Sequence, residues 1–319
     1  MDPDIPTLRD VYVARGVVYR FLRPTGLYSY TSLNEATGVN LFVKHENHQP
    51  VGAFKVRGGL YLASGLTAEE REAGLFTAST GNHGQSIAYA ARAFGLKATI
   101  AVPEAANPAK VAAMRGMGAE VVFHGPDFDT ARTWIGEIAN EKKGTFVGPT
   151  ERPLICGVAT FALEIIEELP DVDAIIVPVG AGSGVCGTAI VAKAINPKIQ
   201  VIAVQSAQAP TQQLTWKAGT PVEGPMETFV EGVSTRSTFE NTRKIMRKYL
   251  DDFVLVDDAE TKVAMRMLLE HTHNLPEGAG ALSLAAAIQL KERLSGKKVA
   301  ISFSGGNLAM EKLQTLISE

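Results

Sequence analysis

Apolar residues in this chain follow two patterns that take turns. Short unbroken apolar runs read as strands buried on both faces, and longer stretches with apolar positions three and four apart read as helices. Strands are predicted at residues 41–44, 75–78, 98–102, 120–123, 145–147, 174–179, 201–204, 253–256 and 298–303. Helices are predicted at 10–21, 58–64, 83–94, after Asn107-Pro108, at 129–142, 154–169, from the glycine loop after Val179 to Ala194, at 260–271, from near Glu277, and after Asn307. In 83–94 the residues Ile87, Ala90, Ala91 and Phe94 keep helical spacing, and Gly95 closes the turn. Pro108 stands where a helix starts. Repeated strand–helix alternation predicts an α/β fold with mostly parallel sheet covered on both faces. The longest predicted loop is 221–236, and no fixed-period repeat interrupts the pattern.

Composition narrows the function classes. The 319 residues suffice for two domains with a large core, and 45% apolar with 20% charged residues is ordinary for a globular protein. Net charge is −3 without a basic block, so no nucleic-acid or anionic-membrane partner is expected. The uncharged run 174–192 has the length of a membrane span, but Pro178 and its glycines make it a strand, a loop and a helix start. Met1-Asp2-Pro3-Asp4 is acidic and lacks the apolar core of a signal peptide. Cys156 and Cys186 have no metal-ligand spacing and predict a reducing, cytoplasmic compartment.

The chemistry starts at Pro50-Val51-Gly52-Ala53-Phe54-Lys55-Val56-Arg57-Gly58-Gly59. Lys55 sits among apolar neighbours with glycines on either side. Loss of water disfavours its ammonium form and leaves an amine able to attack a carbonyl. A lone lysine more often snorkels to solvent. Three further stretches change that balance: Ser79-Thr80-Gly81-Asn82-His83-Gly84-Gln85, Gly180-Ala181-Gly182-Ser183-Gly184, and Ser304-Gly305-Gly306-Asn307. The second lies between a strand and a helix, where backbone N–H groups and the helix N-terminus can hold a phosphate. Taken alone it also suits a dinucleotide loop. A lone His83 is most often structural, and Glu277 also suits a helix N-terminal acid.

Together, in this order and nearly end to end, the four stretches resemble the pyridoxal-phosphate (PLP) enzymes of the tryptophan-synthase-β fold type (fold type II), in particular the serine/threonine dehydratases and serine racemases. The resemblance implies two open, twisted, mostly parallel α/β domains with the cofactor between them. Residues 1–73 and 150–319 would form the large PLP-binding domain and 74–149 the small substrate-side domain. Lys55 would carry the cofactor as a Schiff base and then take the Cα proton. Gly180, Ala181, Gly182, Ser183 and Gly184 would hold the phosphate, where the family usually has four consecutive glycines. Ser304 would face the ring nitrogen, Asn82 the ring hydroxyl oxygen, and Phe54 would pack beside the ring. Gly232 and Glu277 match positions near the cofactor. Ser79, Thr80, Gly81 and His83 would line the substrate carboxylate site, and Arg132 and Thr235 fall near positions that touch substrate side chains.

The implied activity is β-elimination of a β-hydroxy amino acid such as L-threonine or L-serine to a 2-oxo acid and ammonia, by a homo-oligomer, dimer or tetramer. Serine racemase, threonine-synthase-like lyase, a dehydratase for a bulkier β-hydroxy acid, and a nucleotide-binding α/β protein remain alternatives. The second serine of the racemases' Ser-Ser-Gly-Asn-His run is here Thr80, which implies elimination ahead of racemisation. The two carboxylates that bind Mg²⁺ in some relatives correspond to Gln205 and Thr211, so no dedicated metal site is expected. The chain closes one helix after Ser304, so feedback by isoleucine through a regulatory domain is not expected.

Overall fold

The structure, a computed structural model, describes residues 5–318, and the Met1–Asp4 segment lies outside them. Ten strands among the described residues divide between two sheets. They are β1 (Leu27–Tyr28), β2 (Asn40–His45), β3 (Leu75–Ala78), β4 (Ala98–Val102), β5 (Glu120–Phe123), β6 (Thr145–Phe146), β7 (Ala174–Pro178), β8 (Gln200–Ser206), β9 (Asp252–Val256) and β10 (Lys298–Phe303). One sheet runs β1-β2-β10-β7-β8-β9, the other β5-β4-β3-β6. Every pairing is parallel except β1 with β2.

The helices are α1 (Leu8–Val18), α2 (Thr31–Thr37), α3 (Lys55–Ser64), α4 (Ala68–Ala73), α5 (Asn82–Phe94), α6 (Pro108–Gly116), α7 (Phe128–Glu141), α8 (Arg152–Val158), α9 (Thr160–Glu168), α10 (Ser183–Ile195), α11 (Thr211–Ala218), α12 (Glu240–Tyr249), α13 (Asp258–Thr272), α14 (Gly278–Gln289) and α15 (Met310–Ser318). They cover both faces of both sheets, so strand residues alternate between two cores. In β7, Ile175 and Val177 face the core of α8, α9 and α10, while Ile176 faces that of α13 and α14. In the smaller sheet, Ile100 and Val102 meet Ile87 and Met114 on one side, and Ala101 meets Ile135 on the other.

Three predicted boundaries move, each for a local reason. Helix α3 starts at Lys55 and not at Gly58, with Phe54 as its N-cap. The predicted helix 154–169 is two helices joined at Ala159. Helix α8 there crosses α3 so closely that a Cβ on Gly157 would stand 2.4 Å from the Arg57 carbonyl oxygen. Helix α1 starts at Leu8, where Thr7 and Asp10 form a capping box. No helix among the described residues is long and apolar enough to cross a membrane.

Candidate active site

The carboxyl ends of β3, β7 and β10 converge on one cavity of about 430 Å³ between the two sheets. Crevices beyond the carboxyl ends of parallel strands are where open α/β sheets bind ligands. Phe54, Lys55, Ser79, Thr80, Gly81, Asn82, His83, Gly180, Ala181, Gly182, Ser183, Gly184, Gly232, Glu277 and Ser304 all line it, as do Arg132 and Thr235. Residues spread over 250 positions are thus brought together by three strand ends and the start of α3.

Lys55 is the first residue of α3, with its Nζ 2.6 Å from Ser183 Oγ and 5.2 Å from the centre of the Phe54 ring. No carboxylate pairs with it among the described residues. Burial therefore lowers its pKa to about 8. The positive end of the α3 dipole acts in the same direction. At neutral pH the amine is partly unprotonated, as a nucleophile requires.

Opposite Lys55 lies the start of α10. The N–H groups of Ser183, Gly184 and Val185 have no acceptor among the described residues, and Cys186 makes the first intrahelical bond, to Gly182. Open N–H groups at a helix N-terminus favour an anion. Gly182 supplies the loop's one positive φ, +98°, and Thr242 Oγ1 donates to the Ala181 carbonyl at 2.7 Å. Ala181 itself keeps an ordinary negative φ, so its Cβ causes no strain. Gly232 approaches the same loop, its carbonyl oxygen standing 2.3 Å from where a Gly180 Cβ would be.

Helix α5 offers a second set of open N–H groups. Those of Asn82, His83 and Gly84 precede the first helical bond, which Gln85 makes to Gly81. Ser79 Oγ accepts from the Gly81 N–H at 3.2 Å, while Thr80 is half-buried and its hydroxyl has no partner among the described residues. His83 Nε2 lies 3.2 Å from the Val147 carbonyl. A carbonyl only accepts, so Nε2 carries the proton. Burial, with Lys55 nearby, lowers the His83 pKa to about 4, and the ring is neutral. Its one N–H is thus spent on Val147, and what His83 offers the cavity is its backbone N–H.

Glu277 is half-buried at the cavity wall, accepts from Asn82 Nδ2 at 2.7 Å, and has its pKa raised to about 7 by desolvation there. Ser304 is buried at the end of β10, with its hydroxyl unpartnered among the described residues and its carbonyl accepting from the Phe54 N–H at 3.2 Å. Sequence reasoning missed other polar residues of the lining, among them Lys110, Glu231, Asn307 and Lys312. Glu231 accepts from Lys110 of α6 and, at 2.5 Å, from Lys312 of α15, which joins the two sheets' sides at the cavity. Asn307 donates to Asn82. Only Asn307 had a signal, its place in the Ser304 motif; Lys110, Glu231 and Lys312 are meaningful only once the chain has folded.

Gln205 and Thr211 lie away from the cavity lining. Gln205 is buried, donating to the Val233 carbonyl and accepting from the N–H groups of Gln212 and Gln213. No group of three or more His, Cys, Asp or Glu side chains among the described residues is arranged to hold a metal ion.

A lysine without a carboxylate partner among the described residues, facing open N–H groups across one cavity, suits an α/β protein that holds a phosphorylated carbonyl cofactor. The chain belongs to the family of pyridoxal-phosphate dependent enzymes, whose sequence model matches residues 18–305. It is 36% identical to an L-threonine ammonia-lyase of Thermotoga maritima, over 98% of this chain and 78% of that protein. It is 35% identical to an L-threo-3-hydroxyaspartate ammonia-lyase of Saccharomyces cerevisiae, over 98% of this chain and 97% of that one. Other relatives are longer, and the chain spans 59% of their length. Among solved structures, serine racemase from Dictyostelium discoideum superposes with a TM-score of 0.89 at 32% identity, covering 95% of this chain and 99% of that one. The fold is that of fold type II PLP enzymes.

Proposed function

We propose that the protein is a PLP-dependent ammonia-lyase that converts L-threonine or L-serine to a 2-oxo acid and ammonia. The observation that carries this reading is the cavity in which Lys55, with no carboxylate partner among the described residues, faces the open N–H groups of Ser183, Gly184 and Val185 at the start of α10. PLP fits that pairing: the N–H groups of Ser183, Gly184 and Val185 would hold its phosphate, and Lys55 would hold its aldehyde. When bound, it supplies a covalent anchor for the substrate's amino group and withdraws electrons from Cα.

The chain's own residues divide the remaining work. Lys55 would take the Cα proton as a neutral amine. Ser183 accepts a hydrogen bond from Nζ and fixes where that amine waits. Asn82 would donate to the ring hydroxyl oxygen, Phe54 would bound one side of the ring, and Ser304 would meet the ring nitrogen. A neutral serine there leaves that nitrogen less charged than an aspartate would, which favours prompt loss of the β-hydroxyl. The start of α5, from Ser79 to His83, receives the substrate carboxylate on its open N–H groups. Loss of water and then hydrolysis release one 2-oxo acid and one ammonia per amino acid.

A second substrate is favoured by Arg132, a cation in the cavity lining that has no acid partner among the described residues. It suits a β-hydroxy amino acid with a second carboxylate, and the yeast relative named above is a hydroxyaspartate ammonia-lyase. Residues 74–149 would act as a small domain between the two parts, 1–73 and 150–319, of a larger one, a division supported by the two separate sheets. Assembly as a homo-oligomer and a cytoplasmic location complete the proposal; the buried thiols of Cys156 and Cys186 suit the latter. The test is 2-oxo acid release from L-threonine, L-serine and 3-hydroxyaspartate by the PLP-loaded protein. Turnover of at least one is expected, and turnover of none would refute the reading.

A further inference from the structure

Asn307 lines the cavity beside Asn82, and its hydrogen bonds form a chain with one allowed direction. The chain begins at the Val51 carbonyl, which can only accept. It fixes Asn307 Nδ2 as a donor at 2.8 Å. The same nitrogen lies 2.7 Å from Asn82, so the Asn82 atom facing it must be the oxygen, Oδ1. Asn82 Nδ2 is thereby turned to Glu277 Oε1, 2.7 Å away. One N–H of Asn82 then has no partner among the described residues, and Asn82 lines the cavity. Reversing the Asn82 amide would set two N–H groups against each other at Asn307.

The backbone around the chain is shaped to admit it. Gly52 has φ +68°, and a Cβ there would stand 2.7 Å from Asn307 Oδ1. A Cβ on Gly305 would stand 2.4 Å from Glu277 Oε1. Both glycines flank residues of the site, one three positions before Lys55 and one directly after Ser304.

We propose that Asn307 is a positioning residue that orients the Asn82 carboxamide, so that an N–H and not an oxygen is presented to the ring hydroxyl oxygen of PLP. The proposal rests on the reading of Asn82 given above. Asn307 also holds the Val51 carbonyl, and its proposed effect on the cofactor runs through Asn82.

The test is a ligand cycle on the cofactor-free protein. Wild type, Asn307→Ala and Asn82→Ala are titrated with PLP and with its 3-deoxy analogue, which keeps the aldehyde and phosphate but lacks the ring hydroxyl. Binding is read from tryptophan fluorescence and the thermal midpoint is recorded in parallel. Asn307→Ala is expected to weaken PLP by about tenfold, the scale of one charge-assisted hydrogen bond, while leaving the analogue within about twofold of wild type. Asn82→Ala should show the same selectivity. Equal losses for both ligands, or no loss for PLP, would overturn the role of Asn307. Loss of selectivity in Asn82→Ala as well would sink the reading of Asn82 itself. If Asn307→Ala does not fold, Asn307→Ser, whose hydroxyl is too short to span Val51 and Asn82, carries the same two predictions.

Discussion

Lys55 and Arg57 stand two residues apart on α3, and the protein treats their charges in opposite ways. Lys55 opens into the cavity with only a hydroxyl at its nitrogen, and its pKa falls to about 8. Arg57 points into the other side of the helix packing and is wholly buried. Its guanidinium meets Glu46 at 2.7 and 2.8 Å and Glu164 at 2.5 and 2.8 Å. Lys44, also buried, shares Glu164 at 2.6 Å. Burial alone would raise the Glu164 pKa, but Arg57 and Lys44 hold it below the usual carboxylate range. Two cations and two anions cancel, and Tyr19, Thr25 and Thr160 fill remaining positions. Burial by itself thus decides nothing about a basic side chain. A buried cation with carboxylates becomes a structural tie, here between β2, α3 and α9. A buried amine without them becomes reactive.

The comparison breaks most sharply at Lys55. Lys55→Ala should lower turnover by at least about 10³-fold, since it removes both the proton acceptor and the covalent anchor. Its thermal midpoint should stay near that of wild type. Glu164→Gln should do the reverse. It leaves Lys44 and Arg57 with one carboxylate between them, and chemical denaturation should show a loss of about 3–5 kcal/mol. A Glu164→Gln protein of unchanged stability would dissolve the distinction.

Smaller effects sharpen the same contrast. Capture of PLP by the cofactor-free protein should quicken with pH and level off near pH 8, where Lys55 loses its proton. An unperturbed lysine levels off near about 10.4. Between these values the unfolded chain holds the Lys55 proton and the folded chain does not, so this residue makes stability rise with pH across that window. Lys55→Met should therefore stabilise the cofactor-free protein at pH 7, with the gain fading above pH 8. A thermal-midpoint series from pH 6 to 10 reads both signs. The smallest change is expected from Thr80→Ser. The Thr80 methyl restricts the hydroxyl on the cavity wall, yet elimination should still outrun racemisation of L-serine, as chiral analysis at partial conversion would show. D-serine formed as fast as pyruvate would reverse that ranking.

The site half of this contrast was legible in the sequence because its residues come in local runs. Gly180–Gly184 and Ser304–Asn307 each follow an apolar strand, and the cavity lies at those strand ends. The buried charges were not legible. Nothing in the sequence marks Lys44, Glu46, Arg57 and Glu164 as partners, because they lie up to 120 residues apart. The fold showed the same division. Strand β7 is an unbroken apolar run, β10 is apolar apart from Lys298 and Ser302, and both were found. Strand β1 is two residues long and held by β2, and α2, α4 and α11 are short. Helix α12 buries only Thr242, Ile245 and Met246 of its ten residues, too narrow a stripe to stand out against its charges.

The central claim is that Lys55, and not the ion-paired Lys44, holds the cofactor. Borohydride reduction of the PLP-loaded protein makes the link permanent, and digestion with mass spectrometry then locates the pyridoxyl group. The account predicts a single modified peptide, modified at Lys55, and none in a Lys55→Ala variant treated alike. A pyridoxyl group on Lys44, or on any other lysine in stoichiometric amount, would contradict it.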